Sequence, residues 1–313
     1  MNDAQIAVAS RSFCMHPVLR AEVLKRYPNT RFNDAGLSLK GTALVEFLQG
    51  CEKVITALEI LDEATLKQLP DLKVVGKYGV GLDMVDRAAM QALGIKLGWK
   101  GGVNKRSVAE LTLSAMISLL HRVPFSNQEV RADKWYQVRG KQLTDRVVGI
   151  VGCGHVGKDL VKMLKPFGCK VLVNDIVEYP EFYEEHGIEA VSLPELMRRS
   201  EIVTLHVPKE GDTLNMITRE LLEAMPDGGY FVNYARGGLV DEAGLKDQLA
   251  SGKLAGVALD VFALEPDVDY EFAKMDNVLV TPHIGGSTEE AVLAMGMAAI
   301  DGLDNYCDPM DVG

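Results

Sequence analysis

The sequence predicts an α/β protein with two domains, each built around a doubly wound parallel sheet. Short apolar runs typical of buried strands alternate with amphipathic helical patterns along the chain. A glycine-rich loop joins a strand to a helix near the middle of the chain. The 313 residues suffice for about two domains of roughly 150 residues, and the 47% hydrophobic and 25% charged fractions are ordinary for globular proteins.

The first domain is predicted from five apolar runs separated by helical segments. The candidate strands are Ile6–Ala9, Thr30–Phe32, Val54–Thr56, Lys73–Val75 and Ile95–Leu97, and the clearest helical segments are Pro17–Arg26 and Ala64–Leu69. This order favours a small, flavodoxin-like doubly wound domain.

Two candidate capping boxes mark the domain boundaries. Ser107, with Glu110 three residues later, predicts a helix of about fifteen residues that runs to His121. A second box, Ser287–Glu290, opens a final helix that runs toward Asp304. We therefore expect a discontinuous substrate domain of residues 1–104 plus 290–313, and a second domain of residues 105–289.

The second domain is predicted to contain six parallel strands. They are Val147–Val151, Val171–Val173, Ile202–His206, Tyr230–Asn233, Gly256–Leu259 and Val278–Thr281. Six strands in this setting are typical of a complete dinucleotide-binding Rossmann sheet.

The glycine-rich loop has the context that a G-x-G-x-x-G motif requires, because it follows a buried strand and opens a helix. We expect Gly152 to make the tight turn, Gly154 to let the backbone approach a pyrophosphate, and Gly157 to let the helix and strand pack closely. Free N–H groups at the helix N-terminus favour the phosphates. We expect His155 to border the pyrophosphate without taking part in chemistry. A turn with no nucleotide is the alternative.

The acidic residue Asp175 ends the next strand, about 20 residues after the loop. An acid at this place accepts hydrogen bonds from the adenosine ribose. The three residues that follow, Ile176, Val177 and Glu178, include no base for a 2′-phosphate. The sequence therefore predicts NAD rather than NADP as the cofactor.

An unusual polar residue follows each of three strands in the second domain. Arg236, Glu265 and His283 come after the strands that begin at Tyr230, Gly256 and Val278. The carboxyl ends of parallel strands face the ligand crevice of a doubly wound sheet, so we expect these side chains to form an acid–base group.

These segments resemble the signatures of the D-isomer-specific 2-hydroxyacid dehydrogenase family, and the resemblance covers nearly the whole chain. It is carried by Gly79–Asp86 in the first domain and by four segments in the second, which are His206–Pro208 with Thr213, Asn233–Gly238, Leu259–Pro266 and Thr281–Gly286. The resemblance implies an NAD-dependent oxidoreductase that interconverts a D-2-hydroxy acid and its 2-oxo acid. Within the family, the chain resembles the phosphoglycerate dehydrogenases. It also implies a homodimer, because the helix at Ser107 resembles the family's dimerisation element.

The resemblance also implies the roles of the polar residues. His283 carries the proton, which suits an imidazole near pH 7, while Glu265 holds its ring and favours imidazolium. Arg236 binds the substrate carboxylate and carbonyl through its planar fork. Asp260 resembles the family's acid near the nicotinamide carboxamide, and a simple strand-end cap is the alternative. A structural ion-pair network is the alternative for the other three.

The remaining cofactor contacts implied by the resemblance lie on the glycine loop and on strand ends. His206 resembles a position beside the adenosine, and we interpret it as a packed or backbone-bonded histidine rather than a catalyst. The other expected contacts are Val156, Val207, Pro208, Thr213, Ala235, Gly285 and Gly286.

The resemblance places the substrate under the loop of residues 76–81, whose glycines expose N–H groups that the family uses to hold the substrate carboxylate. Lys77, Tyr78 and Gly79 are the candidate substrate-binding residues, and a solvated surface lysine is the alternative for Lys77. The chain departs from the family pattern at Thr56–Glu59, which lacks an Arg common in the phosphoglycerate enzymes. It departs again at Trp99–Gly102, where Asn-Thr-Pro-Gly is usual. Trp99 and Lys100 either reshape the pocket or only pack the interdomain strand, so the identity and phosphorylation of the substrate stay open.

The overall charge argues against nucleic acid and anionic membranes as partners. With 33 basic and 44 acidic residues the net charge is −11, whereas those partners require a basic excess. A small anionic substrate needs only a local cluster of base. The apolar run Leu111–Leu120 is too short to span a bilayer, and Met1–Asp3 lacks the basic region of a signal peptide, so we expect a cytoplasmic protein.

The five cysteines form no C-x-x-C pair, which argues against a disulfide framework or a structural zinc site. Other functional classes stay open on the sequence alone. An NAD-sensing transcriptional corepressor of the same fold carries the same Arg, Glu and His, although the acidic balance and the lack of an appended interaction segment count against it. Another Rossmann enzyme, such as a methyltransferase, would not need their spacing. Turnover of NADH with a panel of 2-oxo acids separates these classes.

Overall fold

The computed structural model describes residues 4–312. Gly313 and Met1–Asp3 lie outside the described residues, and the signal-peptide argument rests on Met1–Asp3. The predicted fold class is confirmed, since the described chain forms two wholly parallel sheets flanked by helices. The chain divides into two compact units. One unit is Lys105–Thr288, and the other ends at Asn104 and resumes at Glu289.

The discontinuous unit is built on a five-stranded sheet of order β2-β1-β3-β4-β5, the flavodoxin-like order. Its strands are β1 (Ile6–Val8), β2 (Arg31–Phe32), β3 (Lys53–Thr56), β4 (Val74–Lys77) and β5 (Lys96–Gly98). Its helices before residue 105 are α1 (Arg11–Met15), α2 (Pro17–Arg26), α3 (Gly41–Leu48), α4 (Glu63–Leu66) and α5 (Arg87–Ala92). All five strands lie at or within two residues of the predicted positions.

Both faces of this sheet are buried, as a parallel sheet requires. Successive side chains of β1 alternate between two apolar cores: Ile6 and Val8 pack in the core that holds Ile55. Ala7 packs in the other core, with Val54. The continuous apolar run in the sequence is the consequence of this two-sided burial.

The second unit contains a seven-stranded sheet of order β12-β11-β10-β9-β6-β7-β8. Its strands are β6 (Val147–Val151), β7 (Lys170–Asn174), β8 (Glu189–Ala190), β9 (Ile202–Leu205), β10 (Gly229–Asn233), β11 (Leu254–Leu259) and β12 (Val278–Val280). The six predicted strands are present. The strand β8 was not predicted, because its two exposed residues carry no apolar pattern.

The helices of the second unit flank this sheet. They are α6 (Lys105–Leu120), α7 (Val123–Arg131), α8 (His155–Leu164), α9 (Pro180–His186), α10 (Leu193–Arg199), α11 (Arg219–Glu223), α12 (Glu242–Ala250) and α13 (Tyr270–Ala273). The final helix, α14 (Glu289–Gly302), belongs to the first unit. Within residues 4–312, no helix is both long and apolar enough to cross a membrane.

The capping box predicted at Ser107 is wrong. Helix α6 begins two residues earlier, at Lys105, so Ser107 lies inside its first turn. The buried Ser107 hydroxyl instead donates to the carbonyl of Gly285 at 2.5 Å. The sequence pattern therefore marks a tertiary hydrogen bond that ties α6 to the turn after His283, and not the start of the helix.

Candidate active site

The glycine loop after β6 is fixed by steric limits at two of its three glycines. Gly152 has a φ of +97°, and a β-carbon there would lie 2.6 Å from the carbonyl oxygen of His206. A β-carbon on Gly157 would lie 2.2 Å from the carbonyl oxygen of Gly152, so the first turn of α8 packs directly on the loop. Gly154, by contrast, has open space beside it, with nothing within 4 Å. The open side is where a ligand can approach the backbone.

The N-terminus of α8 opens at this loop. Its N-cap is Gly154, which provides no side-chain cap, so the first-turn N–H groups at His155, Val156 and Gly157 keep their positive ends available. His155 is exposed and Val156 is half-buried. Free N–H groups at a helix N-terminus fit the pyrophosphate of a dinucleotide.

Asp175 lies at the end of β7 and ties that strand to the glycine loop. Its Oδ2 accepts a hydrogen bond from the Cys153 N–H at 2.5 Å, and its Oδ1 accepts from the Val177 N–H at 2.8 Å. Each oxygen keeps a further lone pair, so the carboxylate can also accept from ribose hydroxyls. Ile176 and Val177 are exposed and uncharged, and these groups fit an adenosine ribose with a free 2′-hydroxyl.

The loop after β9 contains four of the predicted cofactor contacts. Desolvation lowers the pKa of His206 to about 3, so its imidazole is neutral, and its Nε2 lies 3.1 Å from the Thr204 hydroxyl. A histidine with this pKa cannot carry a proton near pH 7, which agrees with its interpretation as a packed residue. Thr213 closes the loop, because its hydroxyl donates to the Pro208 carbonyl at 2.7 Å. Val207 packs at the edge of the core and contacts the Gly152 turn.

Glu265 and His283 meet at the carboxyl ends of the adjacent strands β11 and β12. The His283 Nδ1 lies 2.8 Å from the Glu265 Oε2, and the two side chains are 46% and 34% exposed. The other oxygen of Glu265, Oε1, accepts from the Phe262 N–H at 2.9 Å, which fixes the carboxylate. The carboxylate engages Nδ1, and the Nε2 of His283 has no hydrogen-bond partner within residues 4–312.

Asp260 holds the turn on which His283 lies. This buried carboxylate, 1% exposed, accepts from the Ile284 N–H and the Gly285 N–H, both at 2.7 Å, and from the Thr281 hydroxyl at 2.6 Å. His283 has a φ of +55°, a region that few residues other than glycine adopt. Such a conformation is stable only where neighbouring groups hold the backbone in it. Here the three hydrogen bonds to Asp260 hold the backbone. Gly286 completes the same turn.

Arg236 follows β10, the strand on the other side of β11. Its guanidinium donates to the Ala235 carbonyl at 2.8 Å, and its own carbonyl accepts from the Asn233 side chain at 2.8 Å. A β-carbon on Gly237 would lie 1.7 Å from the carbonyl oxygen of Phe262, so the loops after β10 and β11 are in backbone contact. The structure thus places Arg236, Glu265 and His283 on three consecutive strand ends.

Several residues that support this group were not identified from the sequence. The buried Asn233 shapes the Arg236 turn, and the half-buried Glu242 of α12 accepts from the Ala263 N–H at 2.7 Å. Burial raises the pKa of Glu242 above its ordinary value. Tyr234 is buried, its hydroxyl has no hydrogen-bond partner within residues 4–312, and desolvation raises its pKa to about 12. The only sequence signal is position, because each lies within six residues of Arg236.

The predicted substrate loop of the first unit follows β4. Lys77 is 4% exposed and its ammonium donates to the Ala57 carbonyl at 2.6 Å, so the surface-lysine alternative is wrong. Tyr78 packs edge-on against Phe13 with ring centres 5.3 Å apart, and its N–H donates to the Thr56 carbonyl. Gly79 has a φ of +122°, and its N–H has no hydrogen-bond partner in the described part of the chain. Of the three candidates, Gly79 therefore offers the free donor.

The cysteines lie in core positions or partly buried ones, and all five are free thiols. Burial raises the pKa of Cys153, in the glycine loop, to about 11, so this thiol is protonated near pH 7 and is a poor nucleophile. Among the residues described, no group of three or more His, Cys, Asp or Glu side chains is arranged to hold a metal ion.

Comparison with known families and proteins places these features in context. Residues 113–285 match the family model described as "D-isomer specific 2-hydroxyacid dehydrogenase, NAD binding domain". The chain is 34% identical over 262 residues to a D-3-phosphoglycerate dehydrogenase of Archaeoglobus fulgidus, an alignment that covers 83% of this chain and 50% of that protein. It is 34% identical over 236 residues to a hydroxypyruvate reductase of Thermotoga maritima, covering 74% of this chain and 76% of that protein.

Similarity to solved structures extends over both units. The D-lactate dehydrogenase of Aquifex aeolicus, solved with NAD and lactic acid, has a TM-score of 0.83 and 26% sequence identity, and covers 95% of this chain and 93% of that one. The chain spans about half the length of the curated phosphoglycerate dehydrogenases that it matches.

Proposed function

Because the chain belongs to the D-isomer-specific 2-hydroxyacid dehydrogenase family and carries its NAD-binding domain, we propose that it interconverts a D-2-hydroxy acid and the corresponding 2-oxo acid. The observation that carries the proposal is the His283–Glu265 pair at 2.8 Å, which lies on the strand ends of the unit that contains the glycine loop. In this proposal residues 105–288 bind NAD and the discontinuous unit contributes the substrate loop.

In this proposal the side chains of residues 105–288 supply the proton and the groups that bind the substrate. When bound, NAD in its reduced form would supply the hydride for reduction of the 2-oxo acid. His283 donates a proton from Nε2 to the carbonyl oxygen, so that the carbonyl becomes the C–OH of the product. Glu265 fixes the orientation of the ring through its contact with Nδ1. Arg236 binds the carboxylate and the carbonyl oxygen with its planar guanidinium.

Further residues are proposed to hold NAD in place. The N-terminus of α8, with Gly152, Gly154, His155, Val156 and Gly157, takes the pyrophosphate, and Asp175 takes the ribose hydroxyls. The loop after β9 borders the adenosine through His206, Val207, Pro208 and Thr213. The nicotinamide end is bordered by Ala235, Asp260, Gly285 and Gly286. For Asp260 this role would add to its hydrogen bonds with the His283 turn, because Oδ2 keeps a free lone pair.

We propose a small, unphosphorylated 2-oxo acid as the substrate. The ammonium of Lys77 points at the Ala57 carbonyl, and the Glu59 carboxylate accepts from the Ala57 N–H at 2.7 Å. A buried lysine and an acidic side chain are a poor clamp for a phosphate dianion. This argument favours activity of the hydroxypyruvate reductase type over the phosphoglycerate type, both of which occur among the relatives.

A homodimer is proposed from the sequence resemblance and from a groove between α6 and α8. The groove is lined by the half-buried Leu113, Ile117 and Met163 and by the polar Glu110, Ser114 and Ser118. A second copy of this chain is the proposed occupant, which light scattering at low micromolar concentration would test. A cytoplasmic location remains a proposal.

The activity is tested by NADH oxidation with glyoxylate, pyruvate, hydroxypyruvate and 3-phosphohydroxypyruvate. We expect turnover with unphosphorylated members, and turnover with none of the four would refute the dehydrogenase proposal. The matched variant is His283→Asn, since Asn tolerates a positive φ and so preserves the turn. It should lower turnover by about 10²–10⁴ while NADH binding stays within twofold. Wild-type turnover in this variant would remove His283 from the mechanism.

A further inference from the structure

The middle of the substrate loop makes a single hydrogen bond within residues 4–312. The indole N–H of Trp99 donates to the Val80 carbonyl at 3.0 Å, and Gly79, Val80 and Gly81 make no other hydrogen bond there. The ends of the loop are fixed separately, by the Tyr78 N–H to Thr56 and by the Val85 N–H to Leu82. Trp99 therefore supplies the one hydrogen bond that determines the orientation of the loop between these ends.

The backbone that carries Trp99 is itself held firmly. Leu97 and Cys307 exchange two backbone hydrogen bonds, at 3.1 and 3.0 Å. A β-carbon on Gly98 would lie 2.1 Å from the Gly302 carbonyl oxygen, so β5 lies directly against α14. The indole is half-buried and packs against the core that contains Leu97. A donor on such a rigid support can impose a position on a loop that has few contacts of its own.

The direction of this hydrogen bond has a consequence for the neighbouring peptide. The carbonyl of Val80 and the N–H of Gly81 belong to one planar trans peptide, and the two groups point in opposite directions. When the carbonyl is held toward Trp99, the Gly81 N–H is turned away from it. Gly79 adds a second free N–H two residues earlier. Free backbone N–H groups in a short glycine-rich loop can bind an anion.

We propose that Trp99 is a positioning residue that holds the Gly79–Gly81 loop so that its N–H groups receive the carboxylate of the 2-oxo acid. The proposal rests on the proposed function for the identity of the anion. It explains the departure from the family pattern at this position as a functional feature of the chain, whereas a Trp that only packs would need its ring but not its N–H group.

The test separates the N–H group from the ring. Trp99→Phe keeps an aromatic ring and removes the donor, and Trp99→His keeps a ring N–H that reaches about as far from the backbone. The matched control is Trp135→Phe, which changes the other tryptophan of the chain, an 85% exposed residue. For each full-length variant the Kd of oxalate, a planar dicarboxylate, is measured by calorimetry with NADH present, beside KM for NADH and for the preferred 2-oxo acid.

We expect Trp99→Phe to raise the oxalate Kd and the 2-oxo acid KM about fivefold, the effect of one lost neutral hydrogen bond. KM for NADH should stay within twofold, Trp135→Phe should match the wild type, and Trp99→His should recover part of the affinity. Hydrogen exchange should rise in residues 79–85 of Trp99→Phe and nowhere else, which keeps the test decisive if the variant is less stable.

Three results would overturn the proposal. They are an unchanged oxalate Kd in Trp99→Phe, a rise in the NADH KM as large as that for the 2-oxo acid, or no oxalate binding by the wild type. Failure of the proposed function looks different, because the wild type would then reduce no 2-oxo acid while the oxalate titration still decides the role of Trp99.

Discussion

Replacement of Asp260 by Asn tests whether this carboxylate holds the His283 turn. The wild-type side chain is 1% exposed and accepts three hydrogen bonds, two of them from the backbone N–H groups of Ile284 and Gly285. An Asn side chain has the same size, and its oxygen can keep the bonds from Thr281 and Ile284. Its NH2 group would then face the Gly285 N–H, so two donors confront each other in a buried place.

The magnitude follows from that lost acceptor. An unsatisfied buried N–H costs about 1–3 kcal/mol, so Asp260→Asn should lower the free energy of unfolding by about 2 kcal/mol. For a unit of this size the Tm should fall by about 4–8 °C. If His283 acts as the proposed general acid, turnover should fall at least about tenfold, because its turn is no longer held in place.

Urea unfolding of the protein without cofactor measures the stability effect directly. The control is Asp227→Asn, whose side chain is 91% exposed and pairs with Lys253, and which should change stability by less than about 1 kcal/mol. If Asp260 only contacted the nicotinamide carboxamide, the variant would lose NADH affinity and keep the wild-type stability without cofactor. That outcome would refute the argument that Asp260 builds the turn.

Two further predictions concern carboxylates elsewhere in the chain. Asp175→Ala should weaken NAD(H) binding and bring the Kd values for NAD(H) and NADP(H) closer together in fluorescence titrations. The variant loses both the acceptor for the ribose hydroxyls and the negative charge that repels a 2′-phosphate. A ratio of the two Kd values equal to that of the wild type would contradict this. In the first unit, burial works to raise the pKa of Asp304, but hydrogen bonds from Lys53 and Tyr27 outweigh it and lower that pKa below its ordinary value. The resulting stabilisation is present above the unfolded-state pKa of about 3.9 and is lost as pH falls through the lower pKa of the folded state. Asp304→Asn should therefore make the free energy of unfolding depend less on pH at acid pH. An unchanged pH dependence would rule out this contribution.

The parts of the site that sequence alone revealed are those fixed by local geometry. The glycine loop could be predicted because two of its glycines meet steric limits, Gly157 against the loop itself and Gly152 against the end of the neighbouring strand β9. The positions of Arg236, Glu265 and His283 could be read because the carboxyl ends of parallel strands share one edge. In each case a regular feature of the fold, a strand-to-helix turn or a shared sheet edge, sets the position of the residue.

The parts that could not be read depend on hydrogen bonds between distant segments. Ser107 has the spacing of a capping box, yet its partner is Gly285, 178 residues away. Lysine is usually a surface residue, yet the ammonium of Lys77 donates to a carbonyl at the end of the neighbouring strand. Nothing in a local pattern distinguishes these outcomes, because a hydroxyl or an ammonium satisfies its hydrogen-bonding capacity wherever the fold brings an acceptor.

The two carboxylates after β11 differ in burial and in the groups to which they hydrogen-bond. Asp260 and Glu265 are five residues apart on one loop, and both make hydrogen bonds near His283. Asp260 is 1% exposed and accepts three bonds from neighbouring groups, so its charge is used to hold the turn. Glu265 has a side chain that is 34% exposed, and it divides its oxygens between the Phe262 N–H and the imidazole. Glu265 therefore contacts the imidazole directly, whereas Asp260 fixes the backbone that carries it, and the proposed proton transfer by His283 would use both contacts.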